Sequence, residues 1–211
     1  ELSFYKLKVA LLEKEEELAF GVSKSNSGII HSGTQIDPKF LKGRLCVEGN
    51  KLIRKISREL GVDFKEVGEL IVAFRDEEIP LLQKLKKDAE ALGVPGLKIV
   101  YRSWLETYEP NLNSEAIAAL YAPTAGIVSP YRLAYDMSEN AAKNGVEIHT
   151  QTEVKDIQVL GVYASGLKPS FEIATSRGNF NARYIVNAAG LYADHISKIA
   201  GVEDFVITPR K

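Results

Sequence analysis

Cysteine is almost absent: Cys46 is the only one in 211 residues. That excludes an internal disulfide framework and any cysteine zinc cluster, so no metal site is expected, and it suits a reducing, cytoplasmic setting. An excess of charge of one sign is lacking too. Lys and Arg number 27 against 28 Asp and Glu, a net charge of −1, so no basic surface invites nucleic acid. No apolar run approaches the roughly 18 residues of a membrane span, which leaves at most peripheral membrane association. Glutamine is scarce while Lys and Glu abound, a bias of heat-adapted proteins. What is present is ordinary for a globular protein: 45% apolar and 26% charged residues, enough chain for one large domain or two small ones.

Both ends are abrupt. Glu1 to Lys8 reads as the tail of an amphipathic helix, and Val206 to Lys211 as the entrance to a strand. The expectation is an internal piece of a longer protein.

The most informative stretch is Tyr184-Ile-Val-Asn-Ala-Ala-Gly-Leu-Tyr-Ala-Asp-His-Ile-Ser197. It predicts a short buried strand over Ile185 and Val186, a turn of small residues at Ala188, Ala189 and Gly190, then a helix. Small residues at a strand's end suit close approach to the backbone. Either a ligand or a tightly packed strand–helix corner satisfies that pattern.

Earlier, Lys8 to Glu13 reads as an apolar strand ending in a carboxylate. Strand-end acids in dinucleotide-binding folds bind ribose hydroxyls, but Glu13 also begins a charged run and suits plain solvation. Gly21 to Gly33 is rich in Ser, Asn and Gly and is not helical. Ser25, Asn26 and Ser27 suit phosphate oxygens, and Gly28 and Gly33 allow unusual backbone angles. Ile29 and Ile30 are expected to anchor the loop inward and place His31 beside the binding region, as an acid–base group, a flavin neighbour or a solvated loop residue.

Pro38 to Leu60 has helical spacing and ends at Gly61. Cys46 falls in it and is expected to pack as a small apolar residue. Val62 to Phe74 alternates like a strand, and a helix runs from Asp76 to Gly93. Leu97 to Tyr101 is a strand, a short helix holds Trp104 and Leu105, and Ala116 to Ala122 is strand-like despite its alanines. Ser129 caps a helix with Pro130 at its first position, running to Asn144 and Gly145. Strands follow at Val146 to His149 and Thr152 to Val159, then a hairpin from Phe171 to Arg183. His149 and His195 are read as structural.

This order resembles the FAD-dependent oxidoreductases of the D-amino-acid-oxidase-like superfamily, most of all the glycerol-3-phosphate and L-2-hydroxyglutarate dehydrogenase branch. The match rests on Asn26-Ser-Gly-Ile-Ile-His-Ser-Gly33, Leu41-Lys42 with Leu45 to Gly49, Gly68 to Ala73, and Gly93-Val-Pro-Gly96. It continues through Glu109-Pro-Asn-Leu112, Ala122 to Val128, and Asn187-Ala-Ala-Gly190 with Asp194. The resemblance implies an α/β fold: an FAD/NAD(P)-binding Rossmann-like domain with an inserted α+β substrate domain. The first strand and the glycine-rich phosphate loop would precede Glu1, so the FAD domain is expected to be incomplete here. The FAD-binding part is expected over 1–61 and 129–205, the substrate-binding part over 62–128 and 206–211.

The resemblance also implies roles. Glu13 matches the acid on the adenosine ribose, and Ser25, Asn26 and Ser27 the loop near pyrophosphate and flavin. His31 matches a position beside the isoalloxazine. Val154 matches the residue whose backbone meets adenine, and Ala188, Ala189 and Gly190 the backbone that closes over the cofactor. The implied chemistry is oxidation of a small anionic secondary alcohol with hydride passing to FAD, His31 serving as base or flavin contact. Glycerol 3-phosphate is the preferred substrate and L-2-hydroxyglutarate the alternative; an amine oxidase is a third reading. The substrate's anion requires Arg or Lys, with Arg210 a candidate. The electron acceptor is open, as is pairing with a second copy or a redox subunit. A non-catalytic fragment unable to bind FAD is the competing reading.

Overall fold

The computed structural model describes residue 2, residues 5–160 and residues 170–209. Arg210 lies outside them. The chain runs β1 (Val9–Leu12), β2 (Ile29–Ile30), α1 (Leu41–Leu60), β3 (Phe64–Lys65), β4 (Glu69–Ala73), α2 (Ile79–Ala91), β5 (Lys98–Tyr101) and α3 (Arg102–Tyr108). It continues with β6 (Ala118–Ala122), β7 (Gly126–Val128), α4 (Pro130–Lys143), β8 (Val146–His149), β9 (Val154–Leu160), β10 (Ser170–Thr175), β11 (Gly178–Ala182) and α5 (Ala193–Ile199). These fall into two compact units, one of residues 1–20 with 138–211, the other of residues 21–137.

The second unit is built on a three-stranded antiparallel sheet, β4-β6-β5, with β6 at its centre. Its alanines have a packing reason. Ala118, Leu120 and Ala122 are fully buried in one cluster with Leu82 and Ala89 of α2 and Val47 of α1. Ala119 joins Leu105 of α3 in a second cluster, with Trp104 and Tyr121 against it. With a helix against each face, the central strand has room for methyl groups and little more. Burying Leu120 alone contributes about 2 kcal/mol.

A second small sheet, β2-β7-β3, carries the loop that leads to His31. β7 was not expected from the sequence. Its Gly126 pairs with Ile30, and a Cβ there would lie 2.7 Å from both Lys65 O and the Phe64 ring. The strand expected from Val62 to Phe74 is two strands, β3 and β4, parted at Gly68, whose φ is +77°. A side chain at Gly68 would also strike the Tyr121 ring at 2.6 Å. α1 ends as expected: Gly61 takes a left-handed φ of 70°, and its N–H bonds Ser57 O. α4 starts as expected, with Ser129 Oγ accepting the Arg132 N–H at 3.2 Å.

In the first unit, β1 and β8 pair in parallel, Val9 opposite Val146 and Leu12 opposite His149. Beside them stands the antiparallel sheet β11-β10-β9, where Ile157 and Ile173 face each other and are buried. α5 follows, but the strand expected over Ile185 and Val186 does not form; Tyr184 and Val186 are 72% and 79% exposed. No strand partner meets this segment among the described residues, and an unpaired strand leaves its backbone donors and acceptors without ladder bonds. The N-terminal helix is likewise not seen over Tyr5–Lys8, where Tyr5 and Leu7 are exposed and a lone turn has nothing to pack against. Residues 206–209 are coil, not strand.

Candidate active site

In the second unit the loop around Asn26 is held by its own side chain. Asn26 Nδ2 donates to Val22 O at 3.0 Å and Ser23 O at 3.1 Å, and its Oδ1 accepts the Gly28 N–H at 2.9 Å. The Asn26 amide is thereby spent on loop shape, while Ser25 and Ser27 beside it are exposed. Gly28 is obligatory here: its φ is +67°, and a Cβ would stand 2.2 Å from Val128 O. A cleft of about 310 Å³ opens beside this loop, lined by Ser23, Asn26, Ile30, Pro130, Leu133 and Met137. Ile29 does not anchor inward as expected. It is 45% exposed and lines this cleft together with Ile30.

His31 follows β2 with its ring largely exposed, yet its backbone is fixed. Asn50 of α1 is buried; its Nδ2 donates to His31 O at 3.0 Å and to Thr124 O at 2.9 Å. Arg54, one turn on, orients Asn50 by donating from Nη1 to Asn50 Oδ1 at 2.6 Å, and its Nη2 reaches Thr124 O at 2.7 Å. Cys46 is not a plain apolar filler either: its Sγ lies 3.7 Å from His31 O. Burial, and then the Glu69 charge, push the Cys46 thiol above its ordinary value, against the opposing pull of Lys42.

Glu69 lies in the Gly68 to Ala73 family motif, which assigns it no role. It opens β4, pairing with Ala122. Its Oε1 accepts from Ser32 Oγ at 2.6 Å and Thr34 Oγ1 at 2.5 Å, both hydroxyls belonging to nearly inaccessible residues. Its Oε2 stands 3.8 Å from His31 Nδ1. The structure thus brings a histidine, a carboxylate and two hydroxyls together across 35 to 38 positions of sequence.

In the first unit Glu13 sits at the carboxyl end of β1, half-buried. Its backbone N–H bonds His149 O at 2.9 Å, and its carbonyl accepts the Thr152 N–H at 2.8 Å. Oε1 accepts the Glu15 N–H at 2.9 Å. The same crossing sets Val154 as the first residue of β9, two positions after buried Thr152. Glu13 and Val154 are therefore brought to one place.

Ala188 and Gly190 are exposed and Ala189 half-exposed, all in a turn held by Asn187. Asn187 Nδ2 donates to Ala193 O at 2.7 Å, and its Oδ1 accepts the Ala189 N–H at 3.3 Å. Gly190 needs its φ of 58°. Lys14, next to Glu13, lies 3.7 Å from the Tyr192 ring centre, which draws this turn toward the end of β1. Asp194 closes the turn by accepting the Ile207 N–H at 3.0 Å and the His195 N–H at 2.8 Å. The Ile207 bond first, and then that from His195, hold its carboxyl below the usual carboxylate range. His149 packs edge-on to Phe180 at 5.1 Å.

These features fit FAD where they can be tested. A ribose needs an acceptor at the carboxyl end of a parallel strand, and Glu13 stands there with one carboxylate oxygen engaged by the Glu15 N–H. Backbone that closes over a cofactor needs small residues, and the turn at Ala188 to Gly190 is bare of bulk. Among the described residues no group of three or more His, Cys, Asp or Glu is placed to hold a metal ion, and no helix is long and apolar enough to cross a membrane.

The whole chain is also similar to known proteins. It is 39% identical over 211 residues to a glycerol 3-phosphate dehydrogenase of Caloramator mitchellensis, covering 100% of this chain and 42% of that protein. It is 34% identical over 200 residues to the mitochondrial L-2-hydroxyglutarate dehydrogenase of Homo sapiens, covering 92% and 43%. Among solved structures, an FAD-bound, dithionite-reduced L-alpha-glycerophosphate oxidase from Mycoplasma pneumoniae superposes with a TM-score of 0.89 at 31% identity, over 97% of this chain and 53% of that one. A glycine oxidase from Geobacillus kaustophilus follows the same fold, with a TM-score of 0.82 at 25% identity over 95% and 53%. The chain spans less than half the length of these two dehydrogenases. The profile of the DAO family, described as FAD dependent oxidoreductase, matches residues 1–211, and the chain belongs to that family.

Proposed function

We propose that the protein oxidises a small anionic secondary alcohol, glycerol 3-phosphate to dihydroxyacetone phosphate, in an FAD-dependent reaction. One observation carries the choice of substrate. The dehydrogenase matched over the whole chain at 39% identity and the solved structure matched at a TM-score of 0.89 both bear glycerol phosphate in their names. When bound, FAD supplies the acceptor for the hydride released from the alcohol carbon.

This chain's own residues do the rest. In the first unit, Glu13 and the Val154 backbone hold the adenosine end, with Ala188, Ala189 and Gly190 as the small-residue backbone. In the second, Ser25 and Ser27 offer donors from the loop that Asn26 shapes. His31 takes the hydroxyl proton as the carbonyl forms. Its imidazole is exposed to a substrate while Asn50 fixes its backbone. We assign residues 1–61 with 129–205 to FAD binding and 62–128 with 206–211 to the substrate side, a functional division distinct from the packing units. The two electrons leave to an acceptor that an assay replaces with an artificial dye.

L-2-hydroxyglutarate is the second reading, favoured by 34% identity over 200 residues to the human dehydrogenase. Steady-state oxidation of each substrate by the full-length, FAD-loaded protein decides between them. Glycerol 3-phosphate is expected to turn over with the higher kcat/KM; turnover of L-2-hydroxyglutarate alone would overturn the first reading. His31→Asn is expected to lower kcat about 100-fold or more, the range over which a positioned base contributes.

A further inference from the structure

We infer that Glu69 is a positioning residue for His31, holding the neutral imidazole with its proton on Nδ1 so that the Nε2 lone pair is free to take the substrate's proton. The inference rests on the reading of His31 as the base. Its support is geometric. Glu69 Oε1 is pinned by two hydroxyls, from Ser32 at 2.6 Å and Thr34 at 2.5 Å, and both residues are at most 3% exposed. The carboxylate therefore has little freedom to turn. Its second oxygen, Oε2, stands 3.8 Å from His31 Nδ1. Glu69 itself is mostly withdrawn from solvent, its side chain 20% exposed against 65% for His31. A charge-bearing side chain is seldom buried without a task or a partner, and here its partners are two hydroxyls and one imidazole edge.

The backbone of His31 is fixed independently by Asn50 Nδ2 at 3.0 Å, so the ring pivots about a stationary Cα beside a stationary carboxylate. An acceptor beside one ring nitrogen sets which nitrogen carries the proton. An oxygen facing Nδ1 favours Nδ1–H and leaves Nε2 as the acceptor, on the far side of the ring from Glu69. Catalytic hydrogen bonds are often long without substrate and shorten when it binds, which suits a 3.8 Å approach. Cys46 of α1 also feels the Glu69 charge, which Lys42 opposes at that thiol.

The test has a reading independent of turnover. Nitrogen-15 NMR of the imidazole separates a protonated ring nitrogen from a bare one. In the full-length protein, neutral His31 is expected to show a protonated Nδ1 and a bare Nε2, and Glu69→Gln to move the population toward Nε2–H. Glu69→Asp is expected to keep part of the wild-type pattern, since it retains the charge on a shorter arm. With FAD and glycerol 3-phosphate, Glu69→Gln is expected to lower kcat about 10- to 100-fold with little change in KM, part of what a positioned base contributes. His31 found as Nε2–H in the wild type, or unchanged in Glu69→Gln, overturns the inference.

Should Glu69→Gln unfold, Thr34→Val releases one pin while leaving Glu69 in place, and a tautomer shift there supports the same conclusion; its absence counts against it. His31→Asn keeps the two readings apart. Full turnover in His31→Asn removes the assignment of His31 as base, whereas the tautomer result stands or falls on Glu69 alone.

Discussion

Asn50 joins α1 to the His31 loop and to the turn at Thr124, so its removal measures what holds the candidate site together. In Asn50→Ala two hydrogen bonds vanish, to His31 O and to Thr124 O, and Arg54 loses its contact with Asn50 Oδ1. Thr124 O keeps a donor in Arg54 Nη2, but His31 O is left with only the Cys46 thiol at 3.7 Å. One carbonyl close to unsatisfied costs about 1–3 kcal/mol, and the second bond adds about 0.5–1 kcal/mol. The expected loss is therefore about 1.5–4 kcal/mol, or roughly 5–20 °C in Tm for a unit of this size. Urea titration measures it, with the midpoint falling and the slope unchanged. Asn50→Leu separates hydrogen bonding from packing, because it restores volume without restoring a donor. A loss below about 1 kcal/mol in Asn50→Ala, or recovery of wild-type stability in Asn50→Leu, would refute the assignment of these bonds as the link.

Gly28→Ala places a methyl 2.2 Å from Val128 O at a left-handed φ, so a loss of about 2–4 kcal/mol is expected in thermal melts, with the Asn26 loop displaced in a crystal structure of the variant. Leu120→Ala empties the centre of the β4-β6-β5 sheet between α2 and α3 and is expected to lower stability by about 2–5 kcal/mol by urea titration. Asp194 has its pKa lowered on folding, so its contribution is present above the unfolded value near 4 and is lost as pH falls through the folded value. Asp194→Asn is accordingly expected to flatten the acid limb of a stability–pH curve below about pH 4 and leave its slope at neutral pH unchanged. Cys46 is expected to react with a thiol-directed reagent more slowly than a free thiol at pH 8, and faster in Glu69→Gln, since a neighbouring charge that raises its pKa is gone.

Much of this molecule was legible in order and kind. Helix stops and starts were carried by local chemistry: Gly61 in a left-handed cap, Ser129 before Pro130. The motifs that mark the family were local as well, and the match over residues 1–211 agrees with them. What stayed hidden depends on pairing. Ile185 and Val186 have the composition of a buried strand, but strand formation is decided by a neighbour, and none meets them among the described residues. β7 is three residues long with a glycine, too short to alternate visibly. Glu69 lies within the Gly68 to Ala73 family motif, but nothing local marks it as a partner for His31. Only the register that sets it opposite Ala122, and the folding of Ser32 and Thr34 onto it, give it a role beside His31. Asn26 was legible as a loop residue but not as one whose amide is consumed by its own turn.

Under the proposed function, hydride would pass from glycerol 3-phosphate to FAD. The most direct test is the visible absorbance of the full-length, FAD-loaded protein mixed without oxygen with glycerol 3-phosphate or L-2-hydroxyglutarate, then with an artificial acceptor. Rapid bleaching by glycerol 3-phosphate is expected, with recovery of colour on adding the acceptor and much slower bleaching by L-2-hydroxyglutarate. Bleaching by L-2-hydroxyglutarate alone, or by neither, would contradict that reading.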